Sequence, residues 1–431
     1  MMNKKLLALA GALLLAGCDD SAKLDPMSQV GPNPELPEAR NFLIPPMQVP
    51  EGVPWKQGEM PQVAEGLKIE KIADGLMNPR QLYTLPNGDI LVVEASGPPK
   101  PTSMPKQLIT GIIKNASGKG GAGGNRITLL RKQDDGRWQK FPFLDHLFSP
   151  FGVQLVGNKL YVANADSLRV YPYQNGQTHI SDPGRELTEL PSGVNHHWTK
   201  ALLASPDGSK LYVGVGSNSN IGENGLDAEY RRAAVLEVDS NSGASRIYAS
   251  GLRNPTGLQW EPQTGKLWAI VNERDEIGAD LVPDYMTAVQ EGGFYGWPYS
   301  YFGQHLDERA QPQRPDLVKQ AIKPDYALSS HVAPLGLLFY TGDNMPNYRG
   351  GAFVSEHGSW NRSPLNGYKV VWVAFKDGKP VGEPQPVVTG FLSEDQKTVR
   401  GLPVGLTMDG EGALVIADDA GSAVWRVSTR E

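Results

Sequence analysis

The chain has 431 residues, a formal net charge of −6 and a single cysteine. The acidic balance argues against nucleic acid as a partner, and one cysteine excludes a disulfide framework. With 49 glycines and 35 prolines, the composition favours a chain with many turns rather than long helices.

The first 17 residues have the pattern of a bacterial lipoprotein signal peptide. Two lysines precede an apolar run from Leu6 to Ala16 that is too short to span a bilayer as a helix. The run leads into a segment similar to a lipobox, Leu15-Ala16-Gly17-Cys18. We therefore expect Cys18 to be lipidated on the periplasmic face of a bacterial membrane. Asp19 resembles an inner-membrane retention signal. An ordinary cleaved signal with an incidental cysteine is the alternative.

Residues 18–65 form a proline-rich segment that we predict to be a stiff tether. Part of it could instead lie across the folded domain, since Trp55 and the run Phe42-Leu43-Ile44 are able to pack. The remaining residues, 66–431, form the predicted folded domain.

Six copies of one segment type organise this domain. A Pro-x-Gly-Leu/Val unit opens a strand, and a turn then leads to a Gly-x-Leu-x-Val strand. The copies begin at Pro79, Pro150, Thr199, Pro255, Pro334 and Pro403, the third being degenerate. Short β-branched strands joined by Asp-Gly and Asn-Gly turns are typical of hairpins. The repeats therefore predict an all-β, six-bladed β-propeller, whereas a β-sandwich does not explain their register.

Two motifs connect the repeats to a known family. The sequence RNPTGL occupies residues 253–258, and GGFYGWP occupies residues 292–298. Together they resemble the glucose/sorbosone dehydrogenase family of six-bladed propellers that carry pyrroloquinoline quinone (PQQ) and calcium. The resemblance implies a quinoprotein that oxidises an aldose sugar or a sorbosone-like aldehyde and passes electrons to a respiratory-chain acceptor.

The resemblance also implies a catalytic base. His197, in the segment His197-Trp198-Thr199-Lys200, is similar to the family's His-x-Thr-Arg, in which the histidine is the base. Oxidation of a sugar hydroxyl needs a group that takes a proton near neutral pH, and imidazole suits that task. The adjacent His196 is the alternative base. A second alternative is that the histidine has only a structural role in the loop. Lys200 stands where the family has arginine, so the charge is kept but the bidentate fork is lost.

PQQ carries three carboxylates and needs several cations around it. Arg253 and Asn254 match the family's cofactor contacts, and Arg400 falls at the corresponding place in the last repeat. Leu402 stands where soluble glucose-oxidising members have a second arginine. Arg362, in the segment HGSWNR, and Lys369 are candidate replacements, although an ordinary surface salt bridge is the alternative for each arginine.

Residues 272–284 contain five carboxylates just before GGFYGWP. Hard oxygen ligands, including loop carbonyls, suit Ca²⁺. By resemblance, the carbonyls of Arg274 and Asp275 contact the calcium beside the quinone, and Asp284 is a ligand of a second, structural calcium. Asp280 lies in the same loop. The spacing is not that of an EF-hand, and an acidic surface loop without metal is the alternative.

Two rival functions remain open at this stage. A calcium-dependent lactonase-type propeller would also use acidic ligands at the channel but would need no cationic cluster. A non-catalytic propeller that binds protein or glycan partners would be favoured if the Lys200 and Leu402 departures mean that the quinone pocket has decayed. No Gly-x-Gly-x-x-Gly opens a helix, so a nicotinamide or flavin site has no support.

Overall fold

The computed structural model describes residues 21–41, 47–99, 124–193 and 196–430. In these residues nearly all regular structure is β-sheet, and six antiparallel sheets of four or five strands form a ring. The prediction of an all-β, six-bladed propeller is confirmed.

The first three blades are four-stranded meanders, each running from an inner to an outer strand. Blade 1 contains Pro79–Thr84, Ile90–Glu94, Arg126–Lys132 and Trp138–Leu144. Blade 2 contains Val153–Val156, Lys159–Ala163, Ser167–Pro172 and Arg185–Glu189. Blade 3 contains Lys200–Ala204, Lys210–Val215, Ala234–Asp239 and Ser245–Ser250.

The last three blades each recruit a strand from an earlier part of the chain. Blade 4 contains Pro255–Trp260, Leu267–Val271, Pro283–Ala288 and Tyr326–Ser330, with Val30–Gly31 at its outer edge. Blade 5 contains Pro334–Phe339, Ala352–Glu356, Lys369–Lys376 and Lys379–Thr389, with Gln62–Val63 at its edge. Blade 6 contains Pro403–Met408, Leu414–Asp418 and Ala423–Thr429, and Leu67–Ala73 completes it. Because the last blade joins the start of the domain to its end, the ring is closed without an open sheet edge between them.

The other elements are short. Further strand pairs are Glu51–Gly52 with Thr398–Val399 and Ser300–Tyr301 with His305–Leu306. The helical turns are Pro26–Gln29, Leu226–Glu229, Pro315–Val318 and Pro346–Tyr348. No helix in the described part of the chain is long and apolar enough to cross a membrane.

The repeated Pro-x-Gly unit begins the innermost strand, and its glycine lies where neighbouring inner strands meet. A Cβ on Gly336 would overlap the carbonyl oxygen of Val404, and one on Gly405 would approach the carbonyl of Arg80 too closely. Any side chain at these positions would therefore push two blades apart.

The middle residue of the unit closes the central channel. Phe151, Leu335 and Val404 form one buried apolar cluster with Trp198 packed against it. Beyond this plug, all six inner strands line a cavity of about 270 Å³. The plug separates that cavity from the end of the propeller at which the inner strands begin, which we call the site face.

Much of the segment predicted to be a tether is docked on the propeller. We call residues 21–41 and 47–63 the N-terminal strap. Gln29 is fully buried and donates to the carbonyl of Asp280, while Trp55 packs on Phe391 and Trp425 and donates to Asp418. Phe42, Leu43 and Ile44 lie outside the described residues, as do Cys18 and the predicted signal peptide.

Candidate active site

The loops that enter the inner strands, and those that leave the second strands, meet at the site face. They bring together residues from the start of blades 3 and 4 and from the loops 216–233, 272–282 and 357–368. These loops are irregular, so each functional side chain is held by specific hydrogen bonds rather than by a sheet ladder.

His197 has a defined tautomer. Its Nδ1 lies 3.0 Å from the carbonyl oxygen of Ser217 and 3.1 Å from Ser217 Oγ. The Ser217 hydroxyl donates its own proton to the carbonyl of Ser219, so both Ser217 oxygens accept from His197. The proton is therefore on Nδ1, and the basic lone pair is on Nε2. The His197 side chain is partly buried.

His196 differs in its surroundings. Its side chain is exposed, and its ring packs edge-on against that of His197 at 4.5 Å between centroids. The geometry thus favours His197 over His196 as the base.

Arg253 is buried and fixes the acidic loop. Its guanidinium donates to the carbonyls of Asn220 and Glu273, to Asn220 Oδ1, and to Asp275 Oδ2 at 3.2 Å. Only 1% of the Arg253 side chain is exposed, against 28% for Asp275. Arg253 therefore does not present its charge to the open site. It acts as a positioning residue for the loop that begins at Asn272.

Asp275 has a second cationic partner. His331 Nδ1 lies 3.2 Å from Asp275 Oδ1, and His331 Nε2 lies 3.1 Å from the carbonyl of Gly278. Burial opposes a charge on His331, but the hydrogen bond and charge of Asp275 outweigh it and raise the pKa of the histidine. Partial burial would raise the pKa of Asp275, yet Arg253 and His331 hold it well below its usual range. Asp275 thus remains ionised, with Asn361 Nδ2 as a further donor.

Asn254 lies between His197 and the inner strand of blade 4. A Cβ on Gly216 would overlap both Asn254 Oδ1 and His197 Cβ, so the two side chains are neighbours. Asn254 Oδ1 is buried and has no hydrogen-bond partner. An unsatisfied amide oxygen beside the base indicates that a ligand or water completes this position.

Lys200 opens the inner strand of blade 3 and is completely buried. Its Nζ donates to the carbonyl of Trp198 at 3.1 Å. Burial, together with the nearby charge of Arg232 and against the opposing effect of Asp166, lowers the pKa of Lys200 to about 7. The cation predicted to face the cofactor is therefore turned into the protein.

This burial predicts a pH-dependent stability. Between about pH 7 and pH 10.4 the unfolded chain keeps a proton on Lys200 that the folded chain has lost, so stability rises with pH in that window. We expect Lys200→Met to increase the free energy of unfolding by about 2–3 kcal/mol more at pH 6 than at pH 9. Urea unfolding at both pH values measures this. Lys210→Met, at a half-exposed lysine, is the control, and an equal effect of Lys200→Met at both pH values would contradict the assignment.

The other predicted cofactor cations have acidic neighbours. Arg362 is fully buried, with Nη2 3.5 Å from Asp280 Oδ1. Arg400 binds the strap through Glu59 at 2.8 Å and the carbonyl of Pro54. Lys369 begins the third strand of blade 5, opposite Glu356. Each of these three cations thus lies near an acidic side chain of the protein.

The predicted metal ligands are also engaged within the protein. The carbonyl of Arg274 accepts from Val282 N, and that of Asp275 accepts from Asn220 and from the Arg274 side chain. Asp280 accepts two backbone N–H groups of the strap. Asp284 accepts from Glu273 N and Ala333 N, and burial raises its pKa to about 7. Across the described ranges, no group of three or more His, Cys, Asp or Glu side chains is arranged to hold a metal ion.

A polar cluster at the channel plug was not identified from the sequence. Arg80 Nη1 lies 2.9 Å from Asp419 Oδ2, which also lies 2.8 Å from His357 Nε2. The Arg80 guanidinium stands over the Trp198 ring, 5.5 Å from its centroid, and Arg80 Nε is buried without a partner. A signal was present, because Arg80 is a charged residue at the middle position of its repeat, where Phe151, Leu335 and Val404 are apolar.

The fold and this site define a class: a six-bladed propeller with an oriented histidine, an ionised aspartate and a buried cation around the mouth of a plugged channel. Comparisons with known proteins narrow the class. The glucose/sorbosone dehydrogenase family model matches residues 163–359, and a TrAA12-like model matches residues 305–430. The match to the glucose/sorbosone dehydrogenase family covers somewhat less than half of the chain, so the chain is similar to this family over residues 163–359.

Individual relatives extend over most of the chain. A pyrroloquinoline quinone-dependent pyranose dehydrogenase of Coprinopsis cinerea is 24% identical, over 86% of this chain and 55% of the relative. A pyrroloquinoline quinone-dependent sugar dehydrogenase of Hypocrea jecorina is 22% identical, over 84% of this chain and 87% of the relative. The calcium structure of a Trichoderma reesei family AA12 carbohydrate-active enzyme superposes with a TM-score of 0.70 at 20% identity, over 89% of this chain and 98% of that one. At this identity the structural likeness establishes the fold.

Proposed function

We propose that the protein is a PQQ- and calcium-dependent dehydrogenase that oxidises an aldose sugar or a sorbosone-like aldehyde. The observation that carries the proposal is His197, whose Nδ1–H is committed to Ser217 so that Nε2 is the base. The family relationship and the two relatives named for PQQ support the cofactor, and the related calcium structure supports the metal.

The residues around His197 fit a flat, anionic ligand. Trp198 offers a partly exposed indole, and Asn254 Oδ1 and Arg80 Nε are buried polar atoms that lack partners. Arg80 is therefore the cation nearest to the Trp198 ring that would contact a cofactor carboxylate, and Arg362, whose Nη1 and Nη2 are also buried without hydrogen-bond partners, is the second candidate. Calcium would be held by the carbonyls of Arg274 and Asp275, which would have to share or release their present hydrogen-bond donors.

The reaction follows from the position of the base. When bound, PQQ with calcium supplies a hydride acceptor with a metal-polarised carbonyl. His197 Nε2 takes the hydroxyl proton of the substrate, and the Nδ1–H···O=C bond to Ser217 keeps the ring oriented as the imidazolium forms. The ionised Asp275 and its partners keep the acidic loop in one conformation at the mouth of the channel.

The contribution of Arg80 can be measured directly. We expect Arg80→Gln to weaken PQQ binding by about 10- to 100-fold, because a charge-assisted hydrogen bond contributes about 1.5–3 kcal/mol. Fluorescence titration of the protein with PQQ gives the dissociation constant. Arg137→Gln removes an exposed arginine paired with Asp135 on a far turn and serves as the control. Unchanged affinity of Arg80→Gln would exclude this contact.

The activity itself is tested by dye reduction with PQQ and Ca²⁺ over a panel of aldoses, aldehydes and lactones. Turnover of a sugar or aldehyde that requires both cofactors supports the proposal. Lactone hydrolysis without PQQ would instead support the calcium-dependent lactonase.

We also propose that Cys18 is lipidated and holds the protein on the periplasmic side of a membrane, with the inner membrane favoured by Asp19. A respiratory-chain component would then be the electron acceptor. Metabolic labelling with a radioactive or alkyne-tagged fatty acid tests the anchor, and Cys18→Ala must abolish the label.

A further inference from the structure

The described part of the strap begins at the site face. Ala22 N donates to the carbonyl of Ser363 at 2.7 Å, and Lys23 N donates to Asp280 Oδ2 at 2.6 Å. Ser363 belongs to the loop between the second and third strands of blade 5, and Asp280 belongs to the corresponding loop of blade 4. Both loops lie at the same end of the propeller as His197.

Chain geometry limits how far the anchor can be from this point. Four residue steps separate Cys18 from Ala22, and four steps of any conformation span at most about 14 Å. A lipid on Cys18 would therefore be confined near the site face. A free tether of residues 18–65 would have imposed no such restriction.

Exposed apolar side chains collect at the same end of the molecule. In the described ranges ten large apolar side chains are exposed, and at least six of these belong to the strap or to loops that run at the site face: Met27, Met47, Met77, Phe148, Leu226 and Tyr230. Tyr230 is 76% exposed. The turns at the opposite end carry polar residues, including Asp134-Asp135 and Asn241-Ser242. Aromatic and aliphatic side chains of this kind are stabilised at the boundary between lipid headgroups and acyl chains.

We propose that the lipidated protein lies with its site face against the membrane surface, and that Tyr230, Phe148 and Leu226 enter the headgroup region. This inference depends on the proposed lipid anchor and is independent of the dehydrogenase chemistry. In this orientation the mouth of the channel opens towards the bilayer. Substrate then enters from the side, and electrons leave over a short distance to an acceptor held in the membrane.

The orientation is tested with a fluorophore on the full-length, lipidated protein. The native thiol is blocked by acylation, so Tyr230→Cys and Asn241→Cys each provide a single labelling site, one on each end of the propeller. The labelled proteins are reconstituted on phosphatidylethanolamine–phosphatidylglycerol vesicles that contain brominated phosphatidylcholine. We expect the label at position 230 to lose about half of its fluorescence, as a group 5–10 Å deep would, and the label at position 241 to lose almost none.

Each other result has a definite meaning. Equal quenching at both positions, or quenching at position 241 alone, would contradict the orientation while leaving the anchor in place. Failure of the preparation to bind vesicles would contradict the anchor and the orientation together, whereas dye reduction measured in parallel reports the dehydrogenase separately. An emission shift at position 230 that depends on protein concentration, without quenching by lipid, would assign the apolar face to a second copy of the chain.

Discussion

Replacing His197 by alanine is expected to lower kcat by about 10²- to 10⁴-fold, the usual contribution of a general base. The affinity for PQQ should change little, because His197 is bound to Ser217 rather than to a cation that contacts the cofactor. Steady-state dye reduction and PQQ titration on the same preparation separate these two effects.

His196→Ala discriminates between the two adjacent histidines. His196 is exposed and packs edge-on against the His197 ring, so we expect its loss to reduce kcat by less than about tenfold. His179→Ala, at an exposed histidine between the third and fourth strands of blade 2, is the matched control. If His196→Ala removed activity and His197→Ala retained it, the two roles would be exchanged.

Arg253→Met is expected to destabilise the protein by about 3–5 kcal/mol, because it leaves Asp275 without its closest guanidinium in a partly buried site. Four other hydrogen bonds of Arg253, to carbonyls of blades 3 and 4 and to Asn220, are lost with it. PQQ binding should fall as the loop 272–282 loses its fixed conformation. Chemical unfolding gives the first effect and titration gives the second.

The double variant Arg253→Met/Asp275→Asn shows whether Arg253 positions the loop 272–282 or contacts the cofactor directly. In Arg253→Met/Asp275→Asn no ionised carboxylate is left without its guanidinium, so part of the stability should return. If Arg253 acts only by holding the loop, the double variant should also recover part of the PQQ affinity. Full recovery of stability with no recovery of affinity would instead indicate that Arg253 itself contacts the cofactor.

The propeller could be predicted because its repeat has a physical cause at every copy. Proline begins each complete unit, and glycines such as Gly336 and Gly405 lie where inner strands approach within contact distance. These requirements leave a sequence pattern that does not depend on long-range contacts. Blade closure by Leu67–Ala73 was not predictable, because that strand resembles any other short amphipathic strand until its partner, Ala423–Thr429, is known.

The sequence indicates which loops carry the candidate site residues, but it does not indicate the direction of their side chains. The sequence places Arg253, Arg362 and Arg400 in loops of the site face, yet each guanidinium turns towards an acid of its own: Asp275, Asp280 and Glu59. Sequence spacing indicates which loop carries an arginine. It does not indicate which acidic side chain pairs with that arginine, because the acid belongs to another part of the chain. Arg80 was not predicted as a site residue because it occupies an ordinary position of the repeat. Its charge, at a position that is apolar in other copies, was the signal.

The contacts of the N-terminal strap could not be predicted from the sequence either. Its proline-rich composition is typical of an extended linker, and nothing local indicates that Gln29 would bridge Asp280 and Ser330 or that Trp55 would meet Asp418. Those partners lie more than 200 residues away in sequence, so only the folded chain reveals them.

The most direct test of the central claim is a titration of the purified protein with PQQ in the presence and absence of Ca²⁺, followed by quinone absorbance and protein fluorescence. The account predicts saturable binding of one equivalent at micromolar or lower concentration, which requires Ca²⁺ and weakens in Arg80→Gln. Absence of binding at micromolar PQQ in a folded protein supplied with Ca²⁺ would contradict it.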